Sequence, residues 1–276
     1  MARVKAAVVG AAGFIGRHLT DHLRARGWEV LALGRGDDAW RGVDLGHVFY
    51  CAGLTADFRV RPFDTVDAHV TFTTQLLREA RFDSFLYCSS TRVYAGAADA
   101  VETARLLVDP NQPGDLYNLS KLMGEAACLA SPNPAARVAR LSNVFGHDPG
   151  SDNFIASIVR DAVTTGQVRL ATDPGSAKDY IAVEDVAVAL ERIALAGPSR
   201  LYNVAAGANT ANADILAALA AASGCAVVTT QDSPLVEFPP IRVERLRALG
   251  VEARVSLLRQ MPRLVTMMRR ELSKQI

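Results

Sequence analysis

The chain has 276 residues, 50% of them hydrophobic, and this length holds one large α/β unit or two lobes that share a core. Its 30 Lys and Arg residues balance 29 Asp and Glu residues to a formal charge of +1, and without a basic block or arm nucleic acid is excluded as an expected partner. The four cysteines form no CxxC or Cys/His spacing, which predicts reduced thiols and no structural zinc. Neither a long uncharged apolar run nor a signal-peptide cleavage pattern occurs, which predicts a cytoplasmic protein without a membrane span.

The first predicted elements are a strand, a glycine turn and a helix, which begin within "VKAAVVGAAGFIG". The strand is a short run rich in valine and alanine. The helix is indicated by apolar residues that recur every three or four positions, at Phe14, Ile15, Leu19 and Leu23. Gly27 is predicted to cap its C-terminus.

Apolar strands then alternate with amphipathic helices. The predicted strands are "EVLALG", "HVFYCAG", "SFLYCSS" and "ARVARLSNVFG", and the predicted helices span residues 63–80 and 116–130. This alternation predicts a parallel sheet with helices on both faces. Only 13 residues separate Leu33 from His47, too few for a helix, a strand and a further connection, so one strand–helix unit of a standard doubly wound sheet is predicted to be missing.

The pattern changes after Gly146. A helix is predicted in "SDNFIASIVRDAVTTG", opened by Ser151 or Asp152, followed by a strand in "QVRLAT" and a helix in "VEDVAVALERIALAG". "RLYNVAAG" is typical of a strand. The rest of the chain is predicted to form two helical segments around "SPLVEFPPI".

The glycine turn has the spacing GxxGxxG, at Gly10, Gly13 and Gly16, between the first strand and the first helix. Glycine permits the tight turn, lets the backbone approach a pyrophosphate and lets the helix pack on the strand. A tight turn needs glycine in any case, but in this context the motif predicts a dinucleotide site.

The end of the second strand distinguishes NAD from NADP, because an acidic residue there binds the ribose 2′-hydroxyl whereas an arginine suits a 2′-phosphate. Here Gly34 and Arg35 occupy that place. NADP is therefore favoured over NAD. The alternative is that Arg35 is an ordinary loop arginine and that Asp37 or Asp38 reaches back to a ribose.

Polar residues with acid–base chemistry follow later in the chain. "FLYCSSTRVY" ends an apolar strand in Ser89, Ser90 and Thr91, at the edge of a parallel sheet where ligands bind. In "DLYNLSKLMGEA", Tyr117 and Lys121 are four residues apart and share one helix face. A nearby ammonium favours the phenolate form of a tyrosine, so the pair suits proton transfer at neutral pH.

Together, in this order, the glycine turn, the serine-ended strand and the Tyr-x-x-x-Lys helix resemble the short-chain dehydrogenase/reductase superfamily. "YCSSTRVY", "RLSNVFG", "KDYIAVEDVA" and "YNVAAG" resemble its extended branch, the NAD(P)-dependent epimerase/dehydratase family of nucleotide-sugar enzymes. This resemblance implies a doubly wound parallel (Rossmann-type) α/β fold with a small C-terminal substrate-binding lobe. The NAD(P)-binding lobe would span 1–142, with 178–206 packing back onto it, and the substrate lobe would comprise 143–177 and 207–276.

The resemblance also implies roles for single residues. Tyr117 would be the general acid/base, Lys121 would hold the nicotinamide ribose and favour the tyrosinate, and Ser90 would bind the reacting oxygen. The cofactor-binding set implied is Gly10, Gly13, Phe14, Ile15, Gly16, Arg35, Cys51, Ala52, Gly53 and Lys121. The substrate-binding set implied is Ser90, Thr91, Asn143 and Lys178.

Two positions depart from the family pattern. The dehydratases carry Thr-Asp-Glu where this chain has Ser90, Thr91 and Arg92, so an acid–base pair for removing water is missing and dehydration is set aside. His69 stands where the family usually has asparagine, either as a hydrogen-bonding group or as an ordinary helix histidine.

The resemblance leaves several activities open for a nucleotide-sugar substrate. A 4-ketoreductase that uses NADPH is favoured by Gly34, Arg35 and the small lobe. A 4-epimerase with tightly bound NAD is the alternative, since the same catalytic residues serve both, and a non-catalytic NADP-sensing protein is a minor one. Many members of the family pair through two long helices, which predicts a homodimer.

Overall fold

The computed structural model describes residues 3–34, 36–54, 58–148, 150–151, 153–229 and 233–274. The strands are β1 (Lys5–Val9), β2 (Glu29–Leu33), β3 (His47–Tyr50), β4 (Ser84–Ser90), β5 (Ala136–Leu141), β6 (Asn143–Phe145), β7 (Gln167–Leu170), β8 (Ala177–Ala182), β9 (Leu201–Val204), β10 (Asn209–Ala211) and β11 (Ala226–Thr229). The helices are α1 (Phe14–Ala25), α2 (Pro62–Val66), α3 (Phe72–Glu79), α4 (Leu116–Ala130), α5 (Phe154–Thr164), α6 (Val183–Ala196), α7 (Asn212–Ser223), α8 (Glu244–Arg247) and α9 (Leu257–Ser273). A π-helical turn, Asp67–Thr71, joins α2 to α3.

The central sheet has the order β2-β1-β3-β4-β5-β9, and all of its strands are parallel. This confirms the predicted doubly wound α/β class. The chain passes from β2 directly to β3, which pairs with β1 on the side opposite β2. The short link after Leu33 therefore replaces one strand–helix unit, as its length predicted.

Successive residues of each central strand point to opposite faces of the sheet, as strand geometry requires. Ala6 and Val8 of β1 pack in a core with α1 and α6. Ala7 and Val9 pack in a second core with α3 and α4. Because both faces are covered, most positions of the strands are apolar, which explains why they lack an alternating polar pattern.

A third core lies in the C-terminal part, among α5, α7, α9 and β7. Strand β8 was not predicted. It connects the C-terminal core with the core beneath α1 and α6, because Ile181 packs in the latter whereas Tyr180 and Ala182 pack in the C-terminal core. The predicted strand "ARVARLSNVFG" is two strands, because the chain leaves the central sheet at Ser142 and β6 pairs with β8. Neither glycine nor proline stands at Ser142, so the segment carries no sequence signal for such a change of sheet.

Smaller differences from the predictions are local. β3 ends at Tyr50, so Cys51 to Gly53 form a loop. Helix α5 is capped by the Asn153 side chain, which accepts a hydrogen bond from the Ala156 amide, and not by Ser151; the other predicted cap, Asp152, lies outside the described residues. Strands β10 and β11 were not predicted. The division into two lobes stays a prediction.

Within the described part of the chain, no helix is both long enough and apolar enough to cross a membrane.

Candidate active site

The glycine turn brings the start of α1 against the end of β3. Gly10 has a φ of +81°, and a methyl group on it would lie 2.8 Å from the backbone of Ala52. A methyl group on Gly16 would lie 2.1 Å from the carbonyl oxygen of Gly10. Neither position therefore accepts a side chain. At Gly10 the positive φ and the Ala52 backbone exclude it, and at Gly16 the close packing of the helix against the turn excludes it.

Three cavities adjoin one another along the carboxyl ends of the strands. The glycine cavity, of about 410 Å³, lies beside the glycine turn. The central cavity, of about 320 Å³, shares Gly13 and Gly53 with it and contains Lys121. The outer cavity, of about 370 Å³, shares Ser90 and Tyr117 with the central cavity. The three cavities form one cleft.

Most of the predicted site residues line this cleft. The glycine cavity contains Gly10, Gly13, Cys51, Ala52 and Gly53, the central cavity adds Phe14, Ile15, Ser90, Tyr117, Lys121 and Asn143, and the outer cavity adds Thr91 and Lys178. Gly16 lines none of the three because it is buried under the turn. Arg35 lies outside the described residues.

The two serines at the end of β4 have different surroundings. The buried Ser89 lines the central but not the outer cavity, and its hydroxyl donates to Glu125 Oε1 at 2.5 Å. The half-buried Ser90 lines both the central and the outer cavity, and its Oγ accepts a hydrogen bond from the Arg92 amide at 3.2 Å. Ser90 is therefore the serine available to a ligand.

Lys121 is a buried cation without a carboxylate ion-pair partner among the described residues. Its Nζ donates to the carbonyl oxygen of Cys88 at 3.0 Å. Burial lowers the pKa of Lys121 to about 8. The ammonium thus lies at the floor of the central cavity, where it has hydrogen-bonding capacity left for a ligand.

Tyr117 is held between aromatic rings and is only 4% exposed. Phe58 lies 5.5 Å from it between ring centroids, and His69 meets it edge-on at 5.4 Å. On the outer side, the Arg92 guanidinium lies 5.2 Å from the ring centroid. These contacts fix the phenol ring where the central and outer cavities meet.

His69 lies in the π-helical turn and is fully buried. The Ser120 hydroxyl donates to the Tyr117 carbonyl at 2.9 Å, so His69 Nδ1, 2.8 Å from Ser120 Oγ, must be the donor in that contact. Nε2 then carries a lone pair, and it has no partner among the described groups. Burial lowers the pKa of His69 to about 2, which keeps the ring neutral.

Gly53 separates His69 from Lys121. A methyl group on Gly53 would lie 2.8 Å from His69 Nε2 and 3.2 Å from Lys121 Nζ. An acceptor and a donor therefore converge on one glycine at the wall of the central cavity. His69 hydrogen-bonds a side chain and not the backbone, and the sequence alone did not distinguish this role from that of an ordinary helix histidine.

The outer cavity is bounded by β6 and β8. Asn143 donates from Nδ2 to the carbonyl oxygen of Asp179 at 2.8 Å, which fixes its amide at the cavity wall. The Asp179 carboxylate accepts backbone hydrogen bonds from residues 206–208 at 2.7–3.1 Å and so anchors the chain after β9. Lys178 is half-buried, with its Nζ 5.6 Å from the Phe238 ring centroid.

No role was predicted for two groups at the outer cavity. Arg92 was noted only as a departure from the dehydratase pattern, yet its guanidinium lies over both Tyr117 and Phe58, at 5.2 and 5.0 Å. Phe58 is buried. The only sequence signal for Arg92 was its position directly after Ser90 and Thr91, at the carboxyl end of β4.

A buried polar network supports the end of β4 from behind. Arg140 binds Glu125 with two parallel contacts, Nε to Oε1 at 3.0 Å and Nη2 to Oε2 at 2.6 Å, and both side chains are at most 5% exposed. Arg140 also donates to the Tyr94 hydroxyl at 2.8 Å. Because Glu125 receives the Ser89 hydroxyl, this network holds the strand that carries Ser90.

Replacing Arg140 with methionine should lower the free energy of unfolding by about 3–5 kcal/mol, because it leaves the Glu125 carboxylate buried and unpaired. Urea denaturation measures this loss. Arg137→Met, on the same strand, is the matched control, since among the described groups Arg137 hydrogen-bonds only carbonyl oxygens. Equal losses in the two variants would contradict the special role of the Arg140–Glu125 pair.

The cleft fits a nicotinamide dinucleotide. No side chain caps the described first turn of α1, whose N-cap is Gly13, and that turn contains no acidic residue, so its amides are available to a pyrophosphate. His69 Nε2 and Lys121 Nζ offer an acceptor and a donor for sugar hydroxyls. At the end of β2, Asp37 Oδ2 accepts from the Gly34 amide at 3.2 Å.

Comparison with known proteins agrees with this geometry. The model of the NAD dependent epimerase/dehydratase family matches residues 6–205. GDP-6-deoxy-D-mannose reductase of Pseudomonas aeruginosa is 28% identical over 90% of this chain and 88% of its own. UDP-glucose 4-epimerase of Mycolicibacterium smegmatis is 27% identical over 87% of each chain. The solved structure of RMD from Pseudomonas aeruginosa complexed with NADPH has the same fold, with a TM-score of 0.80 at 22% identity over 96% of this chain and 99% of its own.

Proposed function

The chain belongs to the NAD dependent epimerase/dehydratase family, and from that premise we propose that it catalyses NAD(P)-dependent oxidoreduction at C4 of a nucleotide-linked sugar, as a 4-ketoreductase. The observation that carries this proposal is the convergence of Ser90, Tyr117 and Lys121 on one cleft that runs on to the glycine turn.

Each of these residues has a distinct task in the proposed reaction. Ser90 hydrogen-bonds the oxygen on the reacting carbon, and Tyr117 gives a proton to it or takes one from it. Lys121 binds the cofactor ribose and stabilises the phenolate of Tyr117 with its positive charge. The nicotinamide nucleotide, when bound, supplies or accepts the hydride.

The residues that follow β2 favour a reductase over an epimerase. Gly34 stands where NAD-binding proteins carry an acidic residue, and Arg35 follows it, a pair that suits the 2′-phosphate of NADP. A similar protein, the Pseudomonas aeruginosa reductase, acts on a GDP-sugar, and its solved relative binds NADPH. These names support the assignment without identifying the sugar or the nucleotide.

The second candidate is a 4-epimerase with tightly held NAD. It is favoured by Asp37, whose carboxylate folds back onto the Gly34 amide and so lies at the end of β2, where an acidic residue binds a ribose diol. A relative of similar identity is a UDP-glucose 4-epimerase. The choice depends on which of Arg35 and Asp37 meets the ribose.

The experiment that separates these two functions is identification of the cofactor. The purified protein is denatured and any released nucleotide is analysed, while the native protein is titrated with NADPH and NADH by fluorescence. An empty site with a preference for NADPH supports the reductase. Tightly retained NAD⁺ supports the epimerase and contradicts the proposed reductase.

Replacing Arg35 with aspartate should reverse the cofactor preference, because the new carboxylate repels a 2′-phosphate and accepts hydrogen bonds from a ribose diol. We expect the ratio of NADPH to NADH affinity to fall by about tenfold or more. Asp37→Asn is the companion variant, which removes the competing carboxylate. An unaltered ratio in Arg35→Asp would remove Arg35 from the site.

We also propose a homodimer. Helices α2 and α4 expose apolar side chains, among them Phe63 at 83% and Met123 at 58%. Burying such groups against a second copy is favourable. Light scattering after size exclusion tests the assembly, and a monomer at micromolar concentration would contradict it.

A further inference from the structure

Two cations, Arg92 and Lys178, line the outer cavity and are half-buried. A third, the exposed Arg59, shares the Phe58 ring with Arg92; the two guanidinium groups lie 4.7 and 5.0 Å from its centroid. Burial, followed by the charge of Arg92, lowers the pKa of Lys178. Asp179 also lines the cavity, but its carboxylate accepts three backbone hydrogen bonds, so the cavity stays positive beside Tyr117.

These cations lack ion-pair partners among the described residues. Arg92 makes only a long contact, 3.4 Å, from Nη2 to the Gly114 carbonyl. The Asp115 carboxylate acts on Arg92 through space but binds the Asp109 amide and the Asn118 side chain. Like charges gathered without counter-ions are costly, so the group that completes this site is an anion.

The diphosphate of a nucleotide-sugar does not account for the position of Arg92. Arg92 lies against the ring of Tyr117, the proposed proton donor at C4, and the guanidinium is therefore close to the reacting carbon. In a hexose the phosphates are attached at C1, across the ring from C4.

We propose that Arg92 recognises a carboxylate on the sugar, so that the substrate is a nucleotide-linked uronic acid. In such a sugar the C6 carboxylate is attached to C5, the neighbour of C4. The planar guanidinium suits this group, because its paired N–H donors match the two oxygens of a carboxylate. This inference rests on the proposed reaction at C4, which places the sugar ring beside Tyr117.

The test compares neutral and acidic ligands that differ only at C6. The affinities of the cofactor-loaded protein for UDP-glucose, UDP-glucuronic acid and free UDP are measured by calorimetry, together with GDP-mannose, its uronic acid and free GDP. Arg92→Gln and Arg92→Lys are compared with Arg78→Gln, an exposed arginine outside the cleft. Oxidation of the C4 hydroxyl of each sugar by NADP⁺ or NAD⁺, the reverse of the proposed reduction, is followed by chromatography.

We expect the uronic acid of one pair to bind at least about tenfold more tightly than its neutral counterpart. Arg92→Gln should abolish that ratio, Arg92→Lys should retain part of it, and Arg78→Gln should leave it unchanged. If the wild type binds the uronic acid and its neutral counterpart equally in both pairs, the inference is overturned while the proposed function stands. Equal weakening of acidic sugar, neutral sugar and free nucleotide by Arg92→Gln also overturns it, since Arg92 would then bind the diphosphate. Failure to bind or convert any sugar overturns the proposed function as well.

Discussion

Replacing Tyr117 with phenylalanine is expected to abolish turnover while cofactor binding survives. The variant loses only the hydroxyl that transfers the proton in the proposed reaction, a contribution of about 10²- to 10⁴-fold in rate. The ring itself remains, with its contacts to Phe58 and His69, so the shape of the cleft is retained. Single-turnover kinetics and a fluorescence titration with the cofactor measure the two effects separately.

The control for this prediction is Tyr202→Phe. The Tyr202 hydroxyl accepts a hydrogen bond from the Ser199 amide in a core away from the cleft, so its loss should lower stability slightly and leave turnover intact. Turnover of Tyr117→Phe within tenfold of the wild type would refute Tyr117 as the acid. Loss of cofactor binding in that variant would point to a damaged fold instead.

The fold and the location of the cleft were predictable because their signals are local. The glycine spacing, the apolar strands and the 13-residue gap each occupy a short stretch of sequence, and each predicted a feature that the structure has. Strand β8 could not be predicted in this way. Its residues face two different cores, so it has neither a uniform apolar run nor a simple alternation.

The limits of sequence reasoning are clearest at the outer cavity. The pairing of Arg92 with Phe58 and Tyr117 joins three separate segments, and only the fold brings them together. The tautomer of His69 likewise depends on Ser120, which is 51 positions away in the chain. By contrast, the neighbouring serines are distinguished by strand geometry, because Ser89 and Ser90 must point to opposite faces.

Replacing Lys121 with methionine should weaken both cofactor affinity and turnover, by about tenfold or more each, because in the proposed reaction one ammonium serves the ribose and the phenolate. Methionine fills a similar volume, and Lys274→Met, at an exposed site, is the control. Unchanged cofactor affinity would count against this assignment. Calorimetric titration with the cofactor and steady-state kinetics supply the two readouts.

The same lysine predicts a dependence on pH. Burial lowers its pKa from 10.5 to about 8, so in the wild type cofactor affinity should fall as the pH rises through about 8 and the ammonium loses its proton. The unfolded chain holds that proton up to its ordinary pKa. Between these two values the unfolded state binds more protons than the folded state, so this group makes stability rise with pH. Lys121→Met should lack both trends, and a variant that kept the wild-type profile would show that another group titrates there.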